Sequence, residues 1–123
     1  MDLDSIDIYC KNKHKIYVDF PFGDIPVCYK LNGKLVAQLY PNADDYKITL
    51  KCSPDIGLEY RRKYKDIVVR GYHCPTVQQP YFNTVYIDKI DDETLKEMID
   101  HSYEQVFKSF SKKIQQQILE ESN

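Results

Sequence analysis

Apolar residues recur along this chain with two different periods, and the places where the period changes mark its elements. From Asp2 to about His14, Leu3, Ile6 and Cys10 fall on one side at helix-like spacing, which predicts a short, weakly amphipathic helix. The segment DFPFGDIP (Asp19 to Pro26) ends any helix with two prolines and a glycine. Next, IPVCYKL and KLVAQLY flank Asn32-Gly33. Asn-Gly supplies the positive φ angles of a two-residue type I′ turn, so a β-hairpin is predicted. Beyond a second turn at Pro41–Asp45, the stretch YKITLKC alternates: Tyr46, Ile48, Leu50 and Cys52 point one way, Lys47, Thr49 and Lys51 the other. That pattern predicts an antiparallel strand packed on one side and wet on the other.

Ser53-Pro54 opens a helix, with Ser as N-cap, Pro at the first helical position and Asp55 adding favourable charge in the first turn. It runs to about Tyr64 with Ile56, Tyr60 and Tyr64 in one row. Gly57 costs this helix about 1 kcal/mol relative to Ala, so packing has to hold it. DIVVRGYH and FNTVYID read as two more strands. From Asp91, residues Leu95, Met98, Ile99, Ser102, Tyr103, Val106, Phe107 and Phe110 follow helical spacing behind an acidic first turn. Residues 111–123 read as a short terminal helix through Ile114, Ile118 and Leu119, expected to fray at its end. The sum is one α+β domain over 1–123, in two layers: an antiparallel sheet packed on one face by N-terminal, middle and C-terminal helices.

Length and composition agree with one soluble domain, since 123 residues support a single core without metal or disulfide staples. Eleven Tyr, five Phe and no Trp suit half-buried sheet faces and interfaces. Seventeen Lys plus Arg against nineteen Asp plus Glu leave a net charge of −2. The chain therefore lacks the overall basic surplus that supplies most nonspecific nucleic-acid affinity. Cys10, Cys28, Cys52 and Cys74 stand far apart with no CxxC spacing. The N-terminal MDLDSIDIYCKNK has no cationic start followed by an apolar run, and no apolar run nears the roughly 20 residues of a membrane helix. A cytoplasmic protein with reduced, buried thiols and no membrane contact is expected, and a monomer.

Candidate chemistry is sparse. His73 and Cys74 are adjacent, but neighbours in extended chain face opposite ways and zinc needs about four ligands, so no metal is expected. Asp91, Asp92 and Glu93 fit helix capping. Gly23, Gly33, Gly57 and Gly71 are isolated, without a phosphate-binding loop, and no nucleophile elbow occurs. The chain reads as non-enzymatic and without a cofactor. The run RRKYKDIVVR is different. Its cations, with Lys47 and Lys51 on the wet strand face and Tyr60 and Tyr64 interleaved, form a candidate local cationic surface.

At DFPFGDIPVCYKLNGKLVAQL (Asp19 to Leu39), ITLKCSPDIGLEYRRKY (Ile48 to Tyr64), GYH before NTVYID, and IDHSYEQV (Ile99 to Val106), the chain resembles the MmcQ/YjbR-like family over nearly its whole length. The resemblance implies an α+β fold of the CyaY-like or secretion-chaperone-like kind and DNA binding through β-hairpin "double wings". One segment departs. Relatives join Gly-Tyr-His to Asn-Thr-Val by a short link with a Met-Asn-Lys start and a His-Trp end, whereas CPTVQQPYF (Cys74 to Phe82) is longer and lacks that lysine and tryptophan. The leading expectation is DNA binding through the hairpin and adjacent cations: Asn32, Lys34, Lys47, Lys51, Arg61, Arg62, Lys65 and Arg70. The alternative is a protein- or peptide-binding, chaperone-like adaptor module. A third is a small-molecule pocket near Tyr72, His73 and Tyr103.

Overall fold

Asp2 caps the first helix, its carboxylate accepting from the Ser5 N–H at 2.8 Å. This is α1 (Leu3–Lys11), and in the computed structural model, which describes residues 1–120, it buries Ile6 and Cys10. Six strands follow: β1 (Tyr17–Asp19), β2 (Val27–Leu31), β3 (Lys34–Tyr40), β4 (Lys47–Lys51), β5 (Val68–Arg70) and β6 (Phe82–Tyr86). They form one antiparallel sheet in the order β1-β2-β3-β4-β6-β5. The Asn32-Gly33 turn has φ of 46° and 86°, the two positive values the hairpin requires.

Helices α2 (Pro54–Lys63), α3 (Asp92–Lys108) and α4 (Lys112–Glu120) complete the molecule. The strands alternate as their sequences dictate. Tyr29, Ala37, Leu39, Ile48, Leu50 and Val85 turn toward the helices and pack with Ile6, Leu95, Met98 and Ile99. A second cluster joins the hairpin base, Leu31 and Val36, to Val106, Phe110 and Ile118. Ser102 is the polar residue in the apolar row of α3. Its hydroxyl donates to the Val36 carbonyl at 2.6 Å and accepts from the Lys51 N–H at 2.9 Å, tying α3 to two central strands.

The predicted elements are present, with three differences. Strand β1 forms largely at residues for which the sequence predicts no element, pairing Tyr17–Asp19 with Cys28–Lys30. The Ser53 side chain makes no capping bond; the Ser53 N–H donates to His101 Nε2 at 3.1 Å instead. The third difference concerns the wet face of β4. The terminal helix is docked where it is described: Ile118 is buried and its carbonyl accepts from His14 Nε2 at 2.7 Å, while 121–123, the end expected to fray, lie outside the described residues.

Candidate functional site

Lys47 and Thr49 point away from the helices, yet they are only 4% and 1% exposed. The expected wet face is covered by the 71–81 connection between β5 and β6, a roof from which Tyr72, His73, Cys74, Pro75 and Gln78 line a cleft together with Lys47 and Thr49. The roof is pinned at both ends. Gly71 N–H bonds the Phe82 carbonyl at 3.0 Å, and Cys52 N–H bonds that of Tyr81 at 2.8 Å. Tyr72 N–H donates to Thr84 Oγ1 at 2.8 Å, whose hydroxyl also meets Thr49 Oγ1 at 2.7 Å. Gly71 is required by close approach: a Cβ there would sit 2.6 Å from Cys74 Sγ and 2.9 Å from Phe82 Cβ.

Under the roof, Lys47 Nζ donates to Asp45 at 2.7 Å and lies 3.6 Å from the centre of the Tyr72 ring. The Tyr40 ring, edge-on to Tyr72, is 5.3 Å away. An ammonium withdrawn from water needs a counter-charge and polarisable faces, and this cage supplies both.

Between sheet and roof lies a cleft of ≈ 570 Å³. Gln38 and Thr49 line its floor; Phe22, Pro26, Leu35 and Phe82 give apolar walls; Asn42, Asp45 and Lys47 add polar and charged groups; Tyr72, His73, Cys74, Pro75 and Gln78 come from the roof. A second depression of ≈ 280 Å³ shares Leu35, Gln78 and Phe82 with it and adds Lys34, Lys51, Tyr81 and Val106, so the two form one elongated groove. Burial pushes the Cys74 thiol and the Tyr40 hydroxyl above their ordinary values, which keeps both protonated. Among the described residues, no three His, Cys, Asp or Glu side chains gather to hold one metal ion.

The family model called YjbR matches residues 12–105, most of the chain. The chain belongs to the YjbR family. No curated protein matches it. Among solved structures, this YjbR domain resembles a Deinococcus radiodurans protein described by the family domain DUF419, with TM-score 0.85 and 24% identity over 95% of this chain and 87% of that one. A Pseudomonas syringae protein aligns with TM-score 0.70 and 20% identity, covering 85% of this chain and 98% of its own. At such identities the likeness establishes the fold.

The eight cationic-surface residues of this YjbR domain do not share one face. Lys47 lies in the cage rather than in solvent. Lys51 is on the same sheet face, its Nζ 5.3 Å and 5.9 Å from the centres of the Phe82 and Tyr81 rings. Lys34 and Asn32 sit at the hairpin tip, which docks: Lys34 Nζ donates to Ser109 Oγ at 2.9 Å and lies 4.6 Å from the Phe110 ring centre. Arg61 donates to Asn83 Oδ1 at 2.7 Å from the helix-bearing side, where Asn83 also holds the Gly57 carbonyl at 3.1 Å. Arg62, Lys65 and Arg70 are exposed, Arg62 within 3.7 Å of Glu59. Of the pocket residues, Tyr72 and His73 line the cleft. Tyr103 does not: its hydroxyl donates to the His14 carbonyl at 2.8 Å, and its ring packs beside Val106 and Phe110.

Sequence reasoning missed Gln38, Tyr40, Asn42, Gln78 and Phe22. The alternation of β3 gives a signal for two of them, because Gln38 and Tyr40 interleave with the core residues Ala37 and Leu39. Nothing in the local sequence marks Phe22 or Gln78.

Proposed function

We propose that this YjbR domain is a non-enzymatic binding module whose small organic ligand occupies the cleft beneath the 71–81 roof. The observation that carries the reading is a sheet face facing away from the helices that nevertheless buries Lys47 and Thr49 while leaving ≈ 570 Å³ beside them. That volume, with aromatic walls and a few convergent polar groups, matches what small-molecule sites offer. A binding role is favoured over a catalytic one because the cleft's close charge pair, Asp45 and Lys47, is engaged with itself, and its thiol is held protonated.

DNA binding draws less support. Phosphate contacts need cations on one accessible surface, and here Lys47 is buried, Arg61 serves Asn83, and the hairpin tip is docked on α3. The peptide-binding reading has one observation in its favour: Phe22 beside the cleft and Val77 on the roof are 71% and 81% exposed.

Protein-observed NMR with a small-molecule library tests the proposal. Binders are expected to shift the Gln38, Thr49 and Tyr72 amides, and Tyr72→Ala to weaken them at least tenfold. A library whose hits all map elsewhere would overturn it. DNA affinity that steepens as salt falls and drops in Arg61→Ala/Arg62→Ala would replace it with the nucleic-acid reading.

A further inference from the structure

We infer that the ligand of this groove is a small amphipathic carboxylate, its acid group held between Lys34 and Lys51 and its apolar body running under the roof. The inference rests on the cleft reading above and adds the chemistry of the occupant.

Charge along the groove is unevenly distributed. In the larger depression the two charged side chains, Asp45 and Lys47, cancel each other at 2.7 Å. In the smaller depression the charged lining consists of Lys34 and Lys51, and neither makes a salt bridge among the described residues. Lys34 has a neutral hydroxyl, Ser109 Oγ, and the Phe110 ring. Among the described residues, the Lys51 ammonium faces the Phe82 and Tyr81 rings. Aromatic faces attract an ammonium but leave its N–H groups available. Two uncompensated cations thus stand at one end of a groove in a chain whose net charge is −2. Such a local field selects an anion.

The walls define the rest of the occupant. Leu35 and Phe82 belong to both depressions, so a molecule anchored at the lysines continues past them into the larger cleft between Phe22, Pro26 and Tyr40. That path is apolar or aromatic on its sides, with Gln38 and Gln78 amides on floor and roof. A linear or aryl-bearing carboxylate satisfies both ends. An apolar cation meets the two lysines as like charges, and a neutral alcohol gains nothing from them.

Octanoate, 1-octanol and octylammonium, titrated against the full chain by NMR and calorimetry, provide the test. Octanoate is expected to shift the Leu35, Lys51, Gln78 and Phe82 amides and to bind at least tenfold more tightly than octanol, with octylammonium weaker still. In Lys34→Gln/Lys51→Gln the preference for octanoate over octanol should fall below about twofold. Lys51→Glu should move the preference toward octylammonium, which separates loss of charge from loss of fold. Equal octanoate and octanol affinity in the cleft would overturn the carboxylate assignment and leave the cleft reading intact. No binding of any of the three in the cleft would overturn the carboxylate assignment, and the cleft reading falls with it only where the library hits also map elsewhere.

Discussion

Lys47 is buried and His101 half-buried, and each tests how this domain tolerates a polar side chain withdrawn from water. For Lys47 the charge is matched by Asp45 and by two tyrosine faces. Removing charge and bulk together opens the cage, so Lys47→Ala is expected to lower unfolding free energy by about 1–3 kcal/mol. Lys47→Met keeps the bulk and sheds the desolvation cost, and should fall within about 1 kcal/mol of the parent in urea titrations. An equal loss in both variants would show that the ion pair, not the filling of the cage, holds the roof down. His101 must be neutral at Nε2 to accept the Ser53 N–H. Burial pushes its pKa below the ordinary histidine value, Lys108 adding to this and Glu104 and Glu97 opposing it. The unfolded chain therefore takes up this proton first. The His101 contribution is fully present above about pH 6.5 and is lost as pH falls toward the lowered native value. Stability of His101→Gln should vary less than that of the parent across that window; an unchanged profile would remove His101 as its source.

Among the elements, α2 shows why propensity alone misleads. Ala would normally improve a helix by about 1 kcal/mol over Gly. At position 57, however, a Cβ would press on Cys52 Sγ, with Cys52 Cβ at 3.3 Å and Asn83 Nδ2 at 3.4 Å. Overpacking typically costs about 1–3 kcal/mol, so Gly57→Ala should be net destabilising; a raised melting temperature would refute this. The terminal helix has the opposite character. Its short, polar-rich sequence suggests fraying, yet Ile118 is buried against the hairpin base and Val106. Ile118→Ala is expected to cost about 2–4 kcal/mol and to speed amide exchange in β2 and β3 near Asn32.

For the whole molecule, periodicity made the layer facing the helices legible and left the opposite layer hidden. Ile48, Leu50, Leu95 and Ile99 announce themselves by spacing because each local pattern meets a matching one. Lys47 and Thr49 look solvated, since burying them depends on a connection that arrives more than twenty residues later. Gly71 carries no local sign that its neighbours are Cys74 and Phe82. Strand β1 was equally silent, being three residues long at a sheet edge. The tightness at Gly71 also makes Gly71→Ala a probe of the roof as a unit, expected to expose Lys47 and to speed its acylation by mass-spectrometric labelling without unfolding the helix-facing core. An unchanged labelling rate would separate the roof from this glycine. The pinning of that roof has a further consequence for how such domains diversify. Its anchors, Gly71 with Phe82, Tyr72 with Thr84 and Cys52 with Tyr81, lie at its two ends. The intervening Pro75–Pro80 stretch contributes no partner to the sheet ladders. Exchanging that stretch between homologous scaffolds should leave the six-stranded frame able to refold and retune only the roof contacts of Pro75 and Gln78, while the preference for an anion stays with Lys34 and Lys51.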